Sequence, residues 1–357
     1  MGLVKGRFVI DTHVHAQRHA FKWKERGIKP NWGTLAAGMK DVEVYDNTPR
    51  LLYDMDIYGV HMCVIQPAFG MTDELNADIV KANPDKFVSL CSGTAYVKKV
   101  NKGEVEWSIE GLCETLDRLL STGLYAGIGE GMPGSQVNRP PISWEERFDE
   151  ICQIMEVARK HKVVVSYHTG TLSGYAGSGA RLLMTEDWLD PSRCHQVAGA
   201  YPDVPIIMDH GGMQGWWSEM YMDTVLHVAA AHPNVFLETG LYWAELYEKP
   251  LRDPNIGVER LLWGTDWGAS IPQQWMPGFR PGSYADQSRR QGIPAHQVDY
   301  FGWSLRQLGR AADLFDLPQD DLNLVLGGNA VKLFKLEDKV PHTRLFKQYL
   351  PIPEPQF

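Results

Sequence analysis

The sequence predicts a (β/α)8 TIM barrel, a single α/β domain with long loops after its first and eighth strands. Three observations lead there. Eight short apolar runs recur along the 357 residues, segments with helical spacing separate them, and chemically reactive side chains gather where the runs end. Parallel strands covered on both faces read as continuous apolar runs because neither face meets water. Strand and helix alternating over this length suit a closed barrel better than an open sheet.

In order, the runs are "RFVID" (7–11), "MCVIQP" (62–67), "FVSLCSG" (87–93), "YAGIGE" (125–130), "VVVSYH" (163–168), "VPIIMDH" (204–210), "VFLETG" (235–240) and "LLWGTD" (261–266). Helical patterns lie between them at 49–59, 105–122, 144–160 and 214–232. The second and third of these carry apolar residues three and four apart with charges between, as a helix covering a sheet does. No GxGxxG or GxxxxGK[ST] loop follows any run, so the usual backbone cradle for a nucleotide phosphate is missing.

Two connections break the compact rhythm, at about 16–48 and 267–302. Loops this long are usually functional, and both leave the strand ends where barrels carry their chemistry. Their Trp, Phe, Arg and Pro content suggests ordered pocket walls. Residues 1–340 are expected to form the barrel and 341–357 an irregular C-terminal arm, a candidate oligomer contact.

Composition narrows the partners. A net charge of -9 without a basic run argues against nucleic acid, where phosphates demand clustered Lys and Arg. No apolar stretch is long enough to span a bilayer. The N-terminus lacks the apolar core of a signal peptide, and the five cysteines, Cys63, Cys91, Cys113, Cys152 and Cys194, are scattered without a CxxC pair. A reduced, cytoplasmic protein acting on a small molecule is the expectation.

His13 and His15 stand two apart at the first strand, a spacing that turns both imidazoles the same way. His168 ends the fifth run, His210 the sixth and Asp266 the eighth. Any one of them has an ordinary structural explanation. Gathered at the mouth of one barrel, three or four imidazoles and a carboxylate make a divalent-metal site with a group placed to handle protons.

The motifs "DTHVH" (11–15), "LLYDMDIYGVHMCVIQP" (51–67), "NPDKFVSL" (83–90), "DHGG" (209–212), "LLWGTDW" (261–267) and "GGNAVKLFKL" (327–336) resemble, in this order, those of the amidohydrolase superfamily. More narrowly they resemble the amidohydrolase-related branch that includes aminocarboxymuconate-semialdehyde decarboxylase. That resemblance implies that His13, His15, His168 and Asp266 hold one metal, zinc before manganese, and that the protein is a homodimer. His210 and Asp266 would carry the acid/base work. The implied reaction is non-oxidative decarboxylation of an aromatic or unsaturated carboxylic acid.

Two departures keep an alternative open. Many binuclear members carry a lysine at the end of the fourth strand, whereas this run ends "GIGE" with Glu130. As a bridge, Glu130 would give His168 and His210 a second metal, and the site would hydrolyse a lactone, amide or C–C bond of a small cyclic substrate. Glu130 as a hydrogen-bonding support is the plainer expectation. The "GTDWGAS" segment also lacks the proline that often follows the aspartate–aromatic pair.

For the substrate, an acid would want arginine, and Arg18, Arg50, Arg280 and Arg289 fall in or near the mouth segments. Trp217 and Trp267 are the foremost candidates among seven mouth tryptophans, with Trp23, Trp32, Trp216, Trp243 and Trp275, to stack on a flat ring. His19 and Glu238 are further candidates, and Tyr167 should face the helical layer.

Overall fold

Among the described residues ten strands follow one another: β1 (Ile10–Val14), β2 (Gln17–His19), β3 (Val44–Asp46), β4 (Met62–Ile65), β5 (Phe87–Cys91), β6 (Tyr125–Ile128), β7 (Val164–His168), β8 (Ile206–Asp209), β9 (Val235–Glu238) and β10 (Leu261–Leu262). The structure is a computed structural model that describes residues 8–20, 43–68, 70–130, 132–135, 137, 139–140, 142–169, 190–213, 221–268 and 299–340. β1 and β4 to β10 form one eight-stranded sheet in sequential order, every pair parallel. The ring closes where Thr12 N–H donates to Trp263 O at 2.9 Å and His15 N–H to Trp267 O at 2.7 Å. Each expected run supplies one barrel strand.

Alternation along the strands builds two cores. Val9, Cys63, Phe87, Val165, Ile206, Met208 and Leu261 face outward, into the layer shared with the helices. Phe8, Ile10, Met62, Val64, Val88, Val164, Ile207 and Leu262 face inward and fill the lower barrel. The short helix Asn329–Phe334 stoppers that lower end with Ala330, Val331 and Phe334. Asn329 holds it there, its amide donating to Val258 O at 2.7 Å and Leu261 O at 2.8 Å.

The helices follow their local signals. Helix Trp144–His161 starts at a reciprocal cap in which Ser143 and Glu146 satisfy each other's backbone N–H groups, and ends at Lys162 in the left-handed region. Helix Ile109–Leu120 buries Leu112, Leu116 and Leu120, spaced to share one face. The expected 105–122 segment starts later than its pattern, because Ser108 caps it.

Three details differ from expectation. The first strand runs to Val14 rather than ending at Asp11, so His13 lies within it and His15 just past it. The stretch expected as a loop after it contains β2 and β3, paired antiparallel. The eighth strand is short, and Asp266 sits beyond it on a segment that rejoins β1 through Trp267 and Val14. The 341–357 arm lies outside the described residues.

Candidate metal centre

Above the apolar filling, the same inward positions turn polar. Along β7 the series runs Val164, Ser166, His168; along β8, Ile207 then Asp209; along β9, Phe236 then Glu238; along β4, Met62 and Val64, then Gln66 just past its end. Ser166 Oγ lies 2.5 Å from Asp209 Oδ2 and 2.8 Å from Gln66 Oε1, so this layer is cross-linked. Gln66 also closes on β1, donating to Thr12 O at 3.3 Å. The layer is a rigid floor beneath the strand ends.

On that floor stand the candidate ligands. His15 Nδ1 faces Gln66 O at 2.9 Å and His13 Nδ1 faces Glu238 Oε2 at 2.8 Å. With those nitrogens engaged, the Nε2 atoms aim at the centre, the outer-partner arrangement that metal-binding histidines use. His15 Nε2 lies 3.0 Å from Asp266 Oδ1 and 3.3 Å from Glu130 Oε2. His13 Nε2 lies 3.7 and 3.6 Å from the same two oxygens. On the other side, Glu130 Oε1 is 2.8 Å from His168 Nδ1 and 3.8 Å from His210 Nε2. Among the described residues three overlapping groups could each hold a cation: His13–His15–Asp266, Glu130–His168–His210 and His13–His210–Glu238.

Two of these residues sit on unusual backbone. His210 has φ 62° and Asp266 φ 55°, both left-handed, where a side chain costs energy that surrounding structure must offset. Gly211, at φ 57°, continues the sharp turn after His210, and a Cβ there would come within 2.5 Å of Glu238 O. The glycines of "DHGG" are thus what lets the imidazole turn back over the barrel.

Charge balances tightly. Burial depresses His13, but Glu238 and Glu130 outweigh it and hold the imidazole well above its ordinary pKa. His15 and His168 are likewise lowered by burial and raised on balance, His15 by Glu130 and Asp266, His168 by Glu130. Glu130 is raised by burial, yet His15 and His13 bring it well below the carboxylate range. Of the four imidazoles His210 alone goes down, through burial and its neighbours His168 and His13. Burial pushes Glu238 up to about 8 and Asp11 up to about 7.

A family model described as amidohydrolase matches residues 10–336. The chain belongs to the amidohydrolase family. No curated protein matches it significantly. Among solved structures, an amidohydrolase from Burkholderia multivorans with bound HEPES is similar, with a TM-score of 0.54 and 11% identity, over 92% of this chain and 99% of that one. A probable 2-pyrone-4,6-dicarboxylic acid hydrolase from Acinetobacter baumannii, with citric acid bound, aligns at 0.49 and 12% over 92% and 99%. A TatD homologue from Escherichia coli K12 aligns at 0.47 and 14% over 92% and 98%. At 11% identity the Burkholderia likeness speaks to fold and not to substrate.

Within this amidohydrolase, the other expected residues fall in different places. Arg18 is half-buried on β2 and, with Asp266, lies close enough to Tyr300 to bear on its phenol. Arg50 pairs with Asp54 at 2.9 Å and lies over Tyr53. Trp267 is buried against Tyr300 and Phe301 and donates its N–H to Asp54 at 2.9 Å, tying the segment after β10 to helix Thr48–Tyr58. Trp243 packs edge-on against Trp303, Tyr167 is fully buried in the outer core, and His19 is buried on β2. Trp217, Arg280, Arg289, Trp23, Trp32, Trp216 and Trp275 lie outside the described residues. A cavity of about 510 Å³ opens beside Glu130, walled by Met71, Val97, Lys98, Met132 and Pro133.

The supporting layer escaped sequence reasoning. Asp11 and Asp209 stood in recognised motifs without a role, and Gln66 and Ser166 had none. The available signal was parity: each polar residue continues the inward-facing series of its own strand.

Proposed function

We propose that this amidohydrolase is a metal-dependent hydrolase of a small cyclic ester or amide, with about two divalent cations bridged by Glu130. The observation that carries this is the placing of Glu130's oxygens, Oε2 beside His13, His15 and Asp266, Oε1 beside His168 and His210. Buried atoms at the centre argue for cations there. His13 Nε2 and Glu130 Oε2 make no hydrogen bond, and leaving such groups unpaired costs about 1–3 kcal/mol each. Imidazole nitrogens with carboxylate oxygens suit Zn²⁺ first, with Mn²⁺ accepted by the same donors.

Bound cations would acidify water and polarise the substrate's carbonyl oxygen. The chain does the rest. Asp266, whose side chain is only partly buried, takes the proton of the attacking water and returns it to the leaving oxygen or nitrogen as the C–O or C–N bond breaks. His210, with His168 and Glu130, would hold the second cation. The cavity beside Glu130 is of the size that seats small ligands, and its wall offers both apolar Met71, Val97 and Met132 and the cation of Lys98.

Decarboxylation of an aromatic or unsaturated acid is the second reading. It is favoured by the compactness of His13, His15 and Asp266, which suffice for one cation. There Asp266 or His210 would protonate the carbon that loses CO₂. The small-molecule partner, a homodimeric state and a cytoplasmic location belong to the proposal on either reading. Among the described residues no helix is long and apolar enough to cross a membrane.

Elemental analysis of the wild type beside His13→Ala and Glu130→Ala separates the readings. About two metals per chain, with one lost in Glu130→Ala, supports the hydrolase, and lactones and amides are then the substrates to screen. About one metal, kept without Glu130, supports the decarboxylase and a screen for CO₂ release. A wild type that stays metal-free after reconstitution overturns both.

A further inference from the structure

The rings of His13 and His210 stack at 5.1 Å with 26° between their planes. A carboxylate brackets each edge of the stack. Glu130 faces the two Nε2 atoms, at 3.6 and 3.8 Å. Glu238 faces the two Nδ1 atoms, Oε2 at 2.8 Å from His13 and Oε1 at 3.8 Å from His210. Glu238 Oε1 and His210 Nδ1 are both buried side-chain atoms without a hydrogen-bond partner, and they confront each other. Room for Glu238 is built in: a Cβ on Gly264 would lie 2.8 Å from its Cγ and 2.9 Å from its Cδ.

We propose that Glu238 is a positioning residue that fixes the tautomers of His13 and His210 together, so that one carboxylate prepares both halves of the metal site. This rests on the bridged-site reading above. Metal binding requires neutral imidazoles, each with one N–H and one lone pair, and an ionised Glu238 beside them only accepts. With Glu238 at both Nδ1 edges, both protons belong there, and both Nε2 lone pairs face Glu130 and the centre. The 3.8 Å gap to His210 exceeds hydrogen-bond reach by less than about 1 Å, and catalytic contacts in a ligand-free site commonly tighten on loading. His13 is held already; His210 is poised.

The test is Glu238→Gln, which keeps the shape. Its carbonyl oxygen takes the His13 N–H, leaving the amide NH₂ against His210 Nδ1. Two donors cannot share that contact, so His210 moves its proton to Nε2 and loses its inward lone pair. Imidazole nitrogen NMR of the metal-free protein, at a pH where both rings are neutral, should show His210 switching tautomer while His13 does not. On loading, the affinity for one of the two cations should fall about 10–100-fold, the usual effect of removing an outer partner, with kcat following and KM nearly constant. Unchanged tautomers and unchanged affinity for both cations overturn the proposal. If Glu238→Gln does not fold, Glu238→Asp is measured instead; it reaches neither imidazole, and wild-type tautomers in it overturn the proposal equally. A wild type that binds about one cation defeats the bridged-site reading, and the tautomer measurement still decides the role of Glu238.

Discussion

Thr265 donates its hydroxyl to Asp11 Oδ2 at 2.6 Å, joining residues 254 positions apart. Its backbone N–H reaches Oδ1 of the same carboxylate at 3.1 Å, and the His13 N–H reaches Oδ1 at 2.8 Å. One buried acid therefore clamps the strand that carries His13 to the segment that carries Asp266. Thr265→Val keeps the shape and removes the hydroxyl. It should cost about 1–3 kcal/mol in chemical denaturation, because a buried acceptor loses its partner. Thr265→Ser should stay close to wild type, and equal losses in both variants would remove the hydroxyl from the account.

Glu130→Gln tests charge rather than position at the centre. The amide fills the same space but is neutral, and its NH₂ must face one of the two histidine groups. His15 and His13 are what hold Glu130 well below the carboxylate range, against its burial. Removing the negative charge should let both imidazoles shed protons more readily, so their titrations should move down by NMR. Hydrolysis should fall by at least about 10²-fold, as loss of a group acting on the reacting centre does. A retained rate would take Glu130 out of the reaction.

Much of this was legible in the sequence, and the parts that were not have physical reasons. All eight barrel strands could be found because burial on both faces writes continuous apolar runs. His13, His15, His168, His210 and Asp266 lie together because each stands near or past a strand's C-terminal end, and a barrel brings those ends together. The strands β2 and β3 were missed because three residues carry too little periodicity to register. Glu238 was noticed only as a mouth candidate. Its approach to His13 depends on the closure of the ring, across 225 residues, which no local pattern encodes.

Asp73 offers a pH test away from the centre. It is fully buried and accepts from Ser92 N–H at 2.9 Å, Thr94 N–H at 2.7 Å and the Thr94 hydroxyl at 3.0 Å, linking the segments after β4 and β5. Burial pushes its pKa up to about 6 from 3.8, and these hydrogen bonds only partly restrain it. Above its unfolded value, the folded acid binds its proton more tightly than the unfolded one. Its contribution is therefore most favourable at low pH and is lost as pH rises through about 6. The stability of wild type relative to Asp73→Asn should be greater at about pH 4.5 than at about pH 7.5, measured by urea melts. A difference independent of pH would mean that Asp73 does not titrate in that window.

Phe334 separates the stability of the barrel from its chemistry. It is buried at the lower end with Val331 and Ala330, against Phe8, Ile10 and Leu262. The candidate metal centre stands at the opposite end, with the polar layer of Gln66, Ser166 and Asp209 between them. Phe334→Ala opens a cavity beneath the barrel and should cost about 3–5 kcal/mol in denaturation. The strand ends above are tied by their own hydrogen bonds, Asp11 to Thr265 and His13 to Glu238, none of which reaches the lower end. The folded variant should therefore bind metal with wild-type stoichiometry and affinity at temperatures well below its melting point. A loss of metal affinity in folded Phe334→Ala would mean that strain passes through the polar layer, and that the lower plug helps to set the spacing of the ligands.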